Sequence, residues 1–411
     1  MVRAVRVDVV VAGAGPAGAI AAYCLAKRGI KVALVDRAKF PREKACGGGV
    51  QAKTARMIPF DISPVVETRL DGMTLTWKSQ NRYTRRWRET LVYGVRRTRF
   101  DHFLVNKAVE AGVTLFDGAR IRHVEDERTG VRTKADDLEL SSEIIIGADG
   151  ANTVVGRAIN PPSAFYHSTA LYYEVPREWL RRDYAGDGLM RFDAGQLTTG
   201  YAWIFPKGET INVGVGGPQI FTKLFRRQFA EFLAAEHILG NRRAEDVPCS
   251  GHRLPHPTAS TRFRAGRILL VGDAAGLADP STGDGMFTGI TSGRIAAEVI
   301  ADALAGNIAA LADYERRIRR EVISELDEAR AVVALLNLSP SFFHALLRYS
   351  DSKWGEICRS ITGEESYYQL RDRYRPLWKV VDPILNRIDD LRMARAVHSF
   401  VRRDRTQPQA S

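Results

Sequence analysis

Residues 7–12 (Val7-Asp8-Val9-Val10-Val11-Ala12) form a nearly continuous β-branched run, the pattern of a parallel strand covered on both faces. A small-residue turn, Gly13-Ala14-Gly15-Pro16-Ala17-Gly18, follows and opens a helical stretch over 19–28. Gly29 closes that helix, and Lys31-Val32-Ala33-Leu34-Val35-Asp36 reads as a second strand. The spacing therefore predicts a strand–helix–strand unit. Farther along, a helix over 100–111 ends at Gly112 and leads into a strand over 113–115. Two more apolar strands run into small-residue turns, 143–146 into Gly147-Ala148-Asp149-Gly150 and 267–271 into Gly272-Asp273. A long small-residue helix is expected over 289–304. Between these blocks, residues 165–250 mix aromatic and β-branched residues with frequent turns, which predicts an antiparallel sheet. From 309 to 405 the pattern is helical, broken at Pro340, Pro376 and Pro383, and 406–411 reads as disordered.

Composition narrows the class. The chain has 411 residues, 45% hydrophobic and 26% charged, enough for two or three domains and a sizeable core, so disorder is excluded. Its four cysteines (Cys24, Cys46, Cys249, Cys358) form no C-x-x-C pair, which argues against structural zinc and against a disulfide framework. The first apolar run is too short for a secretory leader, and no stretch of 18 apolar residues exists to span a bilayer. A reduced, cytoplasmic protein able to touch a membrane surface is expected. The formal charge of +12 comes from arginines in short groups: Arg85/Arg86/Arg88, Arg96/Arg97/Arg99 and Arg316/Arg317/Arg319/Arg320. Such groups suit anionic partners, but they read more simply as solvated faces, and no nucleic-acid-binding signature accompanies them.

The chemistry begins at the first turn. Gly13, Gly15 and Gly18 stand in G-x-G-x-x-G spacing between a strand and a helix. That order gives a tight turn, a close backbone approach to a pyrophosphate, and close packing of helix on strand. The phosphates then meet the helix N-terminus, with Pro16 and Ala17 in the turn that leads into it. Asp36 ends the second strand, where an acid accepts from a ribose hydroxyl, and Arg37 follows it. A bound dinucleotide is expected. Asp149 and Asp273 each follow an apolar strand, at chain ends that open onto a ligand crevice. A carboxylate after Val271-Gly272 can reach a flavin's ribityl chain. Gly283-Asp284-Gly285-Met286, opening the next helix, would aim N–H groups at the flavin N1–C2=O edge. No metal site is expected.

Three further segments carry a resemblance. The loop Pro41-Arg42-Glu43-Lys44-Ala45-Cys46-Gly47-Gly48-Gly49 is similar to P-R-x-K-x-C-G-G-G. Tyr201-Ala202-Trp203-Ile204-Phe205-Pro206, followed after seven residues by Gly214-Val215-Gly216, matches Y-x-W-x-F-P-x7-G-x-G. Gly272-Asp273-Ala274-Ala275-Gly276, with Pro280 and Gly283-Asp284-Gly285, is similar to a second FAD motif. Together these resemble the geranylgeranyl reductase family of FAD-dependent oxidoreductases, within the superfamily of para-hydroxybenzoate hydroxylase. The resemblance runs from residue 8 to about residue 300, and the helical C-terminal third shows only a general likeness.

It implies an α/β protein with a discontinuous Rossmann-type FAD-binding domain (1–70, 93–162, 251–330). An inserted antiparallel-sheet substrate domain (71–92, 163–250) and a helical C-terminal region (331–411) complete the expected architecture. It also implies that Arg97, in Arg97-x-x-Phe100-Asp101, contacts the FAD phosphates or ribityl chain. Asp284 is a mild departure from the family's Gly-Glu-Gly or Gly-Gly-Gly loop.

The implied reaction saturates C=C bonds of an isoprenoid lipid or prenyl diphosphate, with hydride from reduced flavin and a proton from a nearby acid. Tyr201, Trp203 and Phe205 alternate along a strand and so share a face, a candidate wall opposite the flavin. Gly214 and Gly216 join the candidate substrate residues. Cys46, with Gly47 and Gly48 in the same cofactor loop, is the candidate nearest the isoalloxazine and a possible proton donor. His167 and His252 receive no role. No second glycine fingerprint is present, so NADPH would dock transiently, or another donor would reduce the flavin. Peripheral membrane contact through 340–347 and the basic residues beyond 378 is a further expectation. Two alternatives stay open: a flavin monooxygenase or halogenase, whose W-x-W-x-I-P segment has Trp where Tyr201 stands, and a non-catalytic prenyl-binding escort.

Overall fold

The computed structural model describes residues 3–179, 188–197, 199–240, 242, 243, 247–376 and 378. The fully apolar strand runs become the centre of a six-stranded sheet. Its order is Arg264–Ala265, Ile268–Leu270, Ile144–Gly147, Val9–Ala12, Val32–Asp36, Thr114–Asp117. All neighbours are parallel except the first pair, and the register sets Val9 beside Val32 on one side and Ile144 on the other. Every residue of the three central strands is buried, as continuous hydrophobic runs require when helices cover both faces. The helices Pro16–Ala26 and Arg97–Glu110 pack on this sheet, and Met286–Leu304 packs on the first of them. Glycines make that last contact close: a Cβ on Gly293 would fall 2.6 Å from the Ala17 carbonyl oxygen.

The second unit is a seven-stranded sheet in the order Ser250–Pro257, Phe165–Pro176, Thr210–Pro218, Tyr201–Lys207, Leu189–Ala194, Gly72–Trp77, Gln80–Arg86. It is antiparallel except where Leu189–Ala194 runs parallel to Gly72–Trp77. Ser250–Pro257 thus pairs with Phe165–Pro176. The apolar signal in that strand is weak, and pairing partners eighty residues away decide its sheet. One face packs on the helix Thr222–Ala235 through Phe225, Phe229, Phe232 and Leu233, which meet Ala202 and Ile204. The opposite face carries Tyr201, Trp203 and Phe205.

The C-terminal region is helical, with Leu311–Ile318, a π-helical turn at Arg319–Ile323, Ser324–Leu338, Pro340–Tyr349, Asp351–Thr362 and Tyr367–Arg373. It clasps the edge strand Gln80–Arg86. The Trp354 indole donates to the Arg86 carbonyl (3.0 Å) and the Tyr83 hydroxyl to that of His344 (2.8 Å). The expected break at Pro383 and the 406–411 tail lie outside the described residues. The arginine groups prove to be paired. Arg88 meets Glu364 at 2.8 Å, Arg96 meets Glu67 at 2.7 Å, Arg316 meets Asp313 at 2.5 Å and Arg319 meets Glu315 at 2.6 Å. In the folded chain these cations meet carboxylates of their own chain.

Candidate active site

The glycine fingerprint sits where a nucleotide needs it. Gly13 has φ +102°, and a Cβ there would lie 2.2 Å from the Ala148 oxygen. A Cβ on Gly18 would lie 2.0 Å from the Gly13 oxygen, so these two glycines close the turn against its neighbours. Gly15 differs: the nearest atom to its Cβ position is Arg42 Nη2, at 3.8 Å. That opening lies at the N-terminus of Pro16–Ala26, which has no side-chain cap and no acid in its first turn. Backbone donors and a positive helix end thus face a space that an anion can enter. Pro16 is the first helical residue, while Ala17 turns its methyl toward Gly272 and Gly289. The Asp36 carboxylate accepts from the N–H groups of Ala14 (2.8 Å) and Ala38 (2.9 Å), which orients it at the strand end. Arg37 is exposed.

Two cations stand over this crevice. Arg97 is buried and donates twice to Asp101, at 2.6 and 2.7 Å. Burial works against its charge, but Asp101 and Cys46 more than offset that and raise its pKa. Arg42 reaches the same Asp101 at 3.2 Å and approaches Asp36 at 3.9 Å. Arg42 was not singled out from the sequence, although it lies in the quoted P-R-x-K loop.

Lys44 and His252 are the other omissions. Lys44 Nζ lies 3.1 Å from His252 Nε2, which in turn lies 3.2 Å from the Asp273 carboxylate. Burial pushes the Lys44 amine down, with Asp273 pulling the other way. Burial alone would raise Asp273, but His252, Lys44 and Arg97 hold it below the usual range. The 208 residues separating Lys44 from His252 hid this pair from any local pattern.

Asp149 corrects an expectation. Its carboxylate turns inward and caps the helix Val155–Ile159, accepting from Thr153 Oγ1, Val154 N (2.6 Å) and Val155 N (3.2 Å). Burial raises its pKa, and those bonds oppose the rise. The second glycine loop is also partly self-satisfied. The Met286 N–H donates to Asp284 (2.8 Å) and that of Gly283 to the Asp279 carbonyl (2.8 Å). Met286 therefore does not offer the free donor expected of it. Gly285 lies beside Asp273, whose Oδ1 is 3.0 Å from the position of its missing Cβ.

Burial pushes Asp284 up to about 6, with Lys53 lowering it and Asp279 raising it. The native state thus binds this proton more tightly than the unfolded chain does, so stability falls as pH rises from about 4 to about 6. Asp284→Asn should match the flavin-free wild type in Tm near pH 4 and exceed it above pH 6. A Tm difference that ignores pH would refute this.

The two cofactor loops meet the aromatic strand. Tyr201, Trp203 and Phe205 share one face, with ring centroids 5.8 and 6.3 Å apart, and Phe192 closes the row at 5.7 Å from Tyr201 and 5.5 Å from Phe205. Tyr201 donates to the Thr282 carbonyl, beside Gly283. At the other end, a Cβ on Gly47 would sit 3.2 Å from the Phe205 ring and 3.6 Å from Trp203 Nε1. Cys46 accepts the Gly48 N–H on its sulfur at 3.3 Å. Gly214 and Gly216 lie beneath the Trp203 ring, where a Cβ on Gly214 would be 2.2 Å from Cζ2. A side chain at Gly214 would displace the indole, while one at Gly216 would reach only ordinary contact with it. Among the described residues, no three metal-ligating side chains cluster.

The cradle at Gly15, the oriented Asp36, the paired arginines and the Asp273–Gly285 junction fit an FAD. The FAD binding domain family matches residues 6–172 and 251–328. A digeranylgeranylglycerophospholipid reductase of Methanothrix thermoacetophila is 30% identical, over 90% of this chain and 96% of its own. The chain belongs to the geranylgeranyl reductase family of FAD-dependent oxidoreductases. A Methanosarcina barkeri protein of the same likeness, with no assigned activity, is 34% identical over 79% of this chain and 82% of its own. A geranylgeranyl bacteriochlorophyll reductase-like structure from Thermoplasma acidophilum shares the fold, with TM-score 0.71 at 22% identity over 82% of this chain and 88% of that one. Within the family assignment, Gly13, Gly15, Gly18, Asp36, Arg42, Arg97 and Asp273 are the residues that would hold FAD.

Proposed function

We propose that this oxidoreductase saturates isolated C=C bonds of an isoprenoid chain of the geranylgeranyl type, carried on a lipid or a diphosphate. The observation that supports it best is the meeting of both cofactor loops with the row Tyr201–Trp203–Phe205. When bound and reduced, FAD would supply the hydride for one carbon of the double bond. The second carbon then needs a proton, and the electron-deficient centre needs a dry surround with aromatic faces.

The row Tyr201–Trp203–Phe205 supplies those faces, with Tyr201 and Phe205 half-buried and Trp203, 6% exposed, packed against both. The Cys46 side chain stands in the loop that meets the Trp203 and Phe205 rings at Gly47. Burial, together with Asp279 and Asp284, raises the Tyr201 pKa, and its hydroxyl is committed to Thr282. Tyr201 therefore anchors the wall to the second glycine loop, and Cys46 is the better proton source. NADPH docking transiently, or another donor, would reduce the flavin. Phe342 and Tyr349, 59% and 78% exposed beside Arg348, offer a place for contact with a lipid surface.

Anaerobic incubation of dithionite-reduced, FAD-loaded protein with geranylgeranyl lipids and geranylgeranyl diphosphate tests the reading. Mass spectrometry should find products heavier by pairs of hydrogens. An unchanged prenyl panel beside a flavin that stays reduced would reject it.

A further inference from the structure

Asn212 is fully buried, in the strand Thr210–Pro218, between two parts of the candidate site. Its Oδ1 accepts the Trp203 indole N–H at 2.7 Å. An indole nitrogen only donates, so this bond dictates which end of the amide faces Trp203. The Nδ2 group is then directed at two acceptors, the Cys46 carbonyl (3.4 Å) and the Glu174 carboxylate (2.9 Å). Glu174 pairs with Asn212 across the neighbouring strand and is held by Thr210 Oγ1 (2.6 Å) and Lys207 Nζ (3.2 Å). Lys207 also reaches the cofactor loop, since a Cβ on Gly48 would lie 2.8 Å from Nζ. One side-chain amide thus touches both the aromatic wall and the cysteine loop, and its orientation has a single solution.

We propose that Asn212 is a positioning residue, setting the Trp203 ring and the Cys46 loop in fixed relation, with Glu174 and Lys207 fixing its amide. The catalytic part of this inference rests on the prenyl-reductase reading; the mechanical part does not. Asn212→Asp keeps an acceptor for the indole but points a second oxygen at the Cys46 carbonyl and at Glu174. Repulsion then releases the loop while the ring bond survives. Glu174→Ala, at a partly exposed position, removes the amide's second acceptor with less risk to folding.

The test follows iodoacetamide alkylation of Cys46 in FAD-loaded protein, read on the Cys46 peptide by mass spectrometry. The expected acceleration is on the order of tenfold for Asn212→Asp and about threefold for Glu174→Ala. With the prenyl substrate, kcat should fall for Asn212→Asp on the order of 30-fold, while KM and the FAD Kd stay within about threefold. Alkylation rates within about twofold of wild type in both variants would overturn the proposal. So would faster alkylation with kcat unchanged. Should Asn212→Asp fail to fold, the Glu174→Ala rate alone decides. Should the wild type reduce no prenyl compound, the substrate reading fails and the alkylation rates still judge the loop contact.

Discussion

Gly15→Val should leave the flavin-free protein folded, with its Tm unchanged, and weaken FAD binding by on the order of 100-fold or more, about 2.7 kcal/mol. The reason is the asymmetry within the fingerprint. Only the Arg42 guanidinium, at 3.8 Å, lies near a Cβ at Gly15, and its flexible end can yield. A valine there fits the empty turn and fills the space that a pyrophosphate must enter. Gly13→Ala and Gly18→Ala behave differently, because their Cβ atoms would meet backbone oxygens at 2.2 and 2.0 Å. Those variants should lose stability even without the cofactor. Equal FAD affinity in wild type and Gly15→Val, by fluorescence titration of the apoprotein, would remove the pyrophosphate from this loop.

Arg97→Met should cost on the order of 3 kcal/mol of stability, read as a shift in the urea midpoint. Asp101 is fully buried, and two of its bonds come from Arg97. Removing that partner strands a carboxylate, with Arg42 at 3.2 Å left as its remaining cation. Arg42, drawn onto Asp101, would then hold less firmly to the Gly15 opening, so FAD affinity should fall as well. The double variant Arg97→Met/Asp101→Leu should recover much of the stability, since the buried charge is gone, without recovering the affinity. A single variant as stable as wild type would show that Asp101 needs only Arg42.

What could be read from sequence was what is local. A strand, a glycine turn and a helix are consecutive, and close packing there forbids side chains at fixed intervals, so Gly13, Gly15, Gly18 and Asp36 were legible. The aromatic row was legible for the same kind of reason, because a strand's alternation puts Tyr201, Trp203 and Phe205 on one face. Asp149 misled because a carboxylate after a strand reads the same whether it meets a ligand or caps the next helix. Only the positions of Thr153, Val154 and Val155 decide between those uses. His252 looked unremarkable because its partners come from distant segments, Lys44 from the loop after Val32–Asp36 and Asp273 from the turn after Ile268–Leu270.

Short-range order along the chain settled the strand–helix succession, the glycine positions and the chemical type of the site, since each depends on neighbours a few residues away. Tertiary structure decided which carboxylates are consumed internally, which cations crowd the crevice, and that the Cys46 loop abuts Trp203. Those outcomes depend on side chains from distant segments competing for the same buried atoms. Asn212 shows the difference most clearly: an ordinary asparagine in a strand, until the indole N–H on one side and the Cys46 carbonyl on the other leave it a single orientation.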